Sequence, residues 1–201
     1  MSDVSKHGPS AAGTVLSSGL QRFHDEIERN CDHARKLASG LADEAFHWRT
    51  GPDRWSVAQC FEHLDVTMEL YFAGIDAAIE KALARGWRSN EPPRNGWLAA
   101  WFISLLEPPP RRRFKAPGPF APSIRRPLAE ALPRFLEIRQ QLVSRLRRAD
   151  RLDLRKAKLR SPAVPLLRFS LAETFGILNA HDRRHLWQAE QVRQAPGFPG
   201  I

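Results

Sequence analysis

The chain has 201 residues, 31 Lys+Arg against 22 Asp+Glu for a net charge of +9, and 42% hydrophobic content, an ordinary globular balance. A chain this long buries about 70% of its unfolded surface, so it needs neither disulfides nor a structural metal merely to fold, and Cys31 and Cys60 read as reduced core thiols. The longest apolar run, Trp97 to Leu106, is far short of the roughly 20 residues of a membrane span. The polar residues 1–14 carry no apolar signal-peptide segment, so the chain reads as a cytoplasmic, bacterial-type protein: a loosely held tail over 1–14 and a single domain over 15–201.

Leu16, Leu20, Phe23, Ile27, Cys31, Ala34, Ala38 and Leu41 step by three and four, which predicts a first amphipathic helix. After a turn at Gly51 and Pro52, Ser56 with Gln59 three residues on forms a capping-box pattern that opens a second helix. Val57, Cys60, Leu64, Met68, Tyr71, Ile75 and Ile79 carry its apolar face to Ala84, and Gly86 ends it. Residues 86–126 then break the pattern. Trp97 to Leu106 predicts one helical piece, followed by Pro108, Pro109, Pro110 and an arginine cluster from Arg111, which together read as a long crossover.

A third helix is expected from Pro127 to Arg148 through Leu128, Leu132, Phe135, Ile138, Leu142 and Leu146, with Pro133 expected to kink it. A basic linker over 149–169 leads to a second capping-box pattern, Ser170 with Glu173. It opens a fourth helix whose stripe is Leu171, Phe175, Leu178, His181, His185, Ala189 and Val192. No alternation long enough for a sheet occurs. The fold class is therefore all-α, a four-helix bundle with a long crossover between helices two and three.

The charge is concentrated, since residues 111–160 hold 16 basic and 4 acidic side chains. Basic runs beside aromatics grip phosphates or anionic lipid. Here the neighbouring prolines describe a connector rather than a recognition element, so a solvated arginine-rich face is preferred over nucleic-acid binding.

His181 and His185, four apart, lie one above the other on the stripe that faces the core. Two imidazoles at positions suited to Leu or Ala need partners, and a divalent metal supplies them. His63, at the edge of helix two's stripe, is the best third ligand, at a matching height if helices two and four run antiparallel and two and three parallel. His7, His24, His33 and His47 fit less well. The alternative is a satisfied core or surface pair, because HxxxH is a cheap match.

The string Arg54-Trp55-Ser56-Val57-Ala58-Gln59-Cys60-Phe61-Glu62-His63-Leu64, together with Asn179-Ala180-His181-Asp182-Arg183-Arg184-His185-Leu186-Trp187-Gln188, resembles the DinB and YfiT-like superfamily of metalloenzymes, over residues 15–199. The resemblance implies a four-helix bundle and a divalent metal, nickel or zinc, held by His63, His181 and His185. It also implies activities ranging from S-transferases and isomerases that use low-molecular-weight thiols to proteins labelled hydrolases.

Three neutral imidazoles with an open position describe a catalytic site, at which a water or a substrate thiol is activated. The expected function is thus a metal-dependent enzyme acting on a small-molecule substrate, with thiol-dependent S-transfer ahead of hydrolysis. The rival is a non-catalytic binding module stapled by a structural metal, and a homodimer is compatible with either. Around the site, Asp182 reads as a surface charge and Gln188 as an equally balanced choice between surface and ligand support. Cys60 reads as buried packing before fourth ligand, Trp55 and Trp187 as packing, and Glu62 and Glu173 as helix-start charges.

Overall fold

The computed structural model describes residues 16–110, 116, 118–123 and 125–200. The tail over 1–14 and the arginines at 111–113 fall outside the described residues.

The chain is mostly helical: α1 (Ser18–Ala38), α2 (Asp43–His47), α3 (Val57–Ala84), α4 (Trp97–Leu106), α5 (Leu128–Arg148) and α6 (Leu171–Arg193). The four long helices are those expected from the apolar stripes. Both capping boxes form: Ser56 Oγ accepts from Gln59 N and Ser170 Oγ from Glu173 N, and each residue-three side chain reaches back to the cap N–H. These bonds satisfy amide donors that the first helical turn leaves without intrahelical partners.

α5 begins one residue later than expected, with Pro127 as its cap, and continues through Pro133. Its first turn is held from outside, because Leu128 N donates to Asp43 Oδ1 of the short helix α2 at 2.7 Å. α2 leaves no mark in the sequence, because its five residues are too few to display a helical period.

α3 is the central helix, packed against both α5 and α6, while α1 packs against α5 and α6 from the other side. The Phe61–Phe135, Asp76–Arg145 and Glu80–Arg148 contacts run in step along the chain, so α3 and α5 are parallel. His63 meets His181, whereas Gly74 abuts the segment leading into α6, so α3 and α6 are antiparallel. Both orientations agree with those inferred from the heights of the histidines. Phe23, Ile27, Leu64, Met68, Ile75, Phe135, Ile138, Phe175 and Leu178 fill one continuous core, each fully buried apolar side chain contributing about 1.5–3 kcal/mol.

The expectation that no sheet forms is corrected. The linker over 149–169 contains a small antiparallel sheet, β1 (Lys158–Arg160) paired with β2 (Arg168–Ser170), in register Lys158↔Ser170, Leu159↔Phe169 and Arg160↔Arg168. Strands of three residues show too little alternation to be read from sequence. Leu159 packs so closely on Gly74 that an added Cβ there would lie 3.0 Å from its Cδ1. α4 covers α6 with Ala99 and Leu106, beside Phe169, Ile177 and Ala180. No helix among the described residues is long and apolar enough to cross a membrane.

Candidate metal centre

α3 delivers His63 and α6 delivers His181 and His185 to one point, where one ring nitrogen of each lies within 4.8 Å of the others. His63 and His185 are buried and His181 is half-buried. His63 Nε2 and His181 Nε2 are 3.1 Å apart. The helical phase accounts for this arrangement. His181 and His185 stack one turn apart, with ring centroids 4.6 Å apart, and antiparallel packing brings His63 opposite the pair.

Two of the rings are held by their outer nitrogens. His63 Nδ1–H donates to the Phe120 carbonyl at 2.6 Å, and His185 Nδ1–H donates to Gln188 Oε1 at 3.0 Å. Spending Nδ1 on these acceptors assigns the lone pair of each ring to Nε2, and it is Nε2 of His63 that faces His181. Phe120 belongs to a 3-10 turn, Gly118–Phe120, in the crossover, so the connector that looked peripheral in sequence fixes the tautomer of His63. A backbone carbonyl leaves no side-chain signal, and nothing in the sequence marked it. Gln188, by contrast, shares a face with His185 three residues away and was legible.

All three imidazoles are held neutral. Burial lowers His63 below the usual histidine range, against the Phe120 hydrogen bond. Burial lowers His181 and His185 well below it, and the neighbouring histidines and Arg184 reinforce the effect. Trp55 covers two of the rings, its centroid 4.7 Å from His63 and 5.6 Å from His185. Its role is packing, as expected, but the packing is on the site.

Beneath the histidines lies a charged group whose pairing the sequence did not reveal. Arg139, fully buried, donates through Nε and Nη2 to Asp182 at 3.1 and 2.8 Å and through Nη1 to Asp65 at 2.6 Å. Its guanidinium also lies 3.5 Å over the Phe135 ring. Asp182 is therefore not a surface charge: it is 1% exposed and joins α6 to α5. Burial would lower Arg139, but Asp182 and Asp65 overcome it and hold it firmly charged. Burial pushes Asp65 up to about 7 against the pull of Arg139. The available signal was Arg139 itself, a cation on the apolar stripe of α5 between Phe135 and Leu142.

Glu62 is likewise no helix-start charge exposed to water. It is buried, with Oε2 3.5 Å from Arg126 Nε. Glu173 does serve the helix start, and it also accepts from Gly96 N at 3.0 Å. Cys60 is fully buried and stands outside the histidine cluster, and burial raises its thiol pKa. His24, His33 and His47 stand beside Asp25, Glu190 and Asp43, at 3.7, 3.6 and 3.7 Å, and contribute nothing to the cluster. His7 lies outside the described residues.

A sequence model of the DinB superfamily matches residues 26–189, well over half of the chain. The chain belongs to the DinB superfamily. The matched span contains His63, His181 and His185. Neither a curated protein nor a solved structure matches the chain. The histidine cluster of this DinB-superfamily protein is compatible with metal binding.

Proposed function

We propose that this DinB-superfamily protein binds a divalent metal, nickel or zinc, through His63, His181 and His185, and that it is a metal-dependent enzyme acting on a small-molecule substrate. In this reading the four long helices form one four-helix bundle, residues 15–201 make a single cytoplasmic domain, and 1–14 are a tail. The observation that carries the proposal is the convergence of three neutral imidazoles, two of them tethered through Nδ1 so that the lone pair is left on Nε2. That donor set suits a borderline divalent cation.

A divalent ion held there supplies Lewis acidity, by which water or a thiol becomes a nucleophile at neutral pH. The chain's own residues do the positioning. The Phe120 carbonyl and Gln188 fix two rings and their tautomers, Trp55 shields their faces, and Arg139 locks α3, α5 and α6 in register through Asp65 and Asp182. Three histidines without a fourth side-chain ligand among the described residues favour a catalytic site over a closed structural one.

Thiol-dependent S-transfer is placed ahead of hydrolysis on the sequence resemblance. The test is to load the protein with nickel or zinc, then assay loss of a low-molecular-weight thiol in the presence of an electrophilic acceptor, with ester and amide hydrolysis assayed in parallel. Turnover abolished by His185→Ala supports the proposal. A metal that raises thermal stability but gives no turnover in any assay assigns the site to a structural staple instead.

A further inference from the structure

We infer that the hairpin β1–β2 and helix α4 form a docking surface for an anionic phospholipid membrane face, separate from the histidine centre. The apolar part is pronounced. Leu166 at the hairpin tip is 95% exposed, Trp97 81% and Trp101 55%, with Val164 and Leu98 also exposed. Trp97 and Trp101 lie one turn apart on the face of α4 opposite Ala99, Phe102 and Leu106, which are packed inward.

The two elements adjoin. Phe102 of α4 stacks 5.9 Å from Phe169 of β2, and Gly96 N, just before α4, binds Glu173 just after β2. The tip is built rather than loose: Leu167 N donates to Val164 O at 2.8 Å and Val164 N to Ser161 Oγ at 3.1 Å, while Ser161 Oγ is itself 3.0 Å from Tyr71 Oη. Leu166 is thus held out into water by a tethered loop.

The occupant is chosen by charge. Alternation along the strands turns Leu159 and Phe169 inward and leaves Lys158, Arg160 and Arg168 exposed on the outer face. None of the three makes an ion pair among the described residues. Arg160 and Arg168 stand directly opposite each other across the two strands, an arrangement that like charges destabilise unless an anion lies over them. An aliphatic tip flanked by unpaired cations, with exposed indoles on the adjoining helix, matches the boundary between acyl chains and anionic headgroups, where indole is favoured and basic residues are attracted. A second copy of the chain fits poorly, because a two-fold contact through this surface would set these cations against their own duplicates. A nucleic acid could stack on Trp97 and Trp101 but would leave the aliphatic tip, Leu166 and Val164, in water.

The test is sedimentation of the full chain with vesicles of phosphatidylcholine alone and of phosphatidylcholine with phosphatidylserine, together with tryptophan fluorescence of the unmodified protein. Binding is expected only to the serine-containing vesicles, with a blue shift in emission. Lys158→Gln, Arg160→Gln and Arg168→Gln are each expected to weaken it about fivefold, and roughly a hundredfold together. Leu166→Ser with Trp97→Ser is expected to abolish the blue shift while leaving the thermal midpoint unchanged. Equal affinity for both vesicle types, no sedimentation, or a solution dimer dissolved by Leu166→Ser would each overturn the inference. Fluorescence of the unmodified chain decides the question even if a variant folds poorly.

Discussion

Arg139→Met tests the packing beneath the histidines most sharply. The guanidinium is 0% exposed and its two carboxylate partners have side chains 4% and 1% exposed, so water cannot replace what is lost. Removing one member of such a buried group leaves uncompensated charge and costs about 3–5 kcal/mol, out of the 5–15 kcal/mol that holds a typical domain together. The lower end is expected, because burial already pushes Asp65 up to about 7 and a protonated carboxyl is cheaper to bury than an ionised one. With a urea slope of about 2 kcal/mol/M, the unfolding midpoint should fall by roughly 1.5–2.5 M. The triple variant Arg139→Met, Asp65→Leu, Asp182→Leu removes the stranded charges as well and should recover most of that loss. A single-variant loss below about 1 kcal/mol, the range of an exposed pair, would refute this reasoning. So would a triple variant no more stable than the single one.

Gln188→Leu removes the acceptor of His185 Nδ1–H and is expected to lower metal affinity about 10–100-fold with little change in fold, checked by competition against a chromophoric chelator. Cys31 supplies a pH prediction. Burial pushes its thiol from 9.0 up to about 11, so the unfolded chain gives up this proton before the folded one. Its contribution to stability is complete below pH 9.0 and declines as pH rises toward about 11. Thermal midpoints of the parent should therefore fall more steeply over that window than those of Cys31→Ala. Iodoacetamide at neutral pH should modify neither Cys31 nor Cys60 until the protein is unfolded.

How much was legible follows from where each signal is carried. Stripes such as Leu20, Phe23, Ile27 and Cys31 repeat over many turns, and Ser56–Gln59 and Ser170–Glu173 are local chemistry, so the long helices and their starts could be read directly. His181 and His185 stood out because each occupies a position that packing would give to an apolar side chain. His63 could be placed by its height on an antiparallel neighbour. The β1–β2 hairpin and α2 are shorter than one reliable period. The Phe120 carbonyl is main chain, and its service to His63 depends on how the crossover folds back. Asp182 was misread because, in isolation, an aspartate beside a histidine has no stated partner. The partner is Arg139, 43 residues earlier in the chain, and only the docking of α5 joins them.

The central claim is that three histidines from two helices hold one metal. It is tested most directly by metal content, measured by mass spectrometry on protein purified without an affinity tag or chelator, for the parent, His63→Ala and His181→Ala. The account predicts about one equivalent of nickel or zinc per chain in the parent and loss of most of it in both variants. A parent that stays empty after reloading with both metals, or a His63→Ala variant that keeps its full complement, would contradict it.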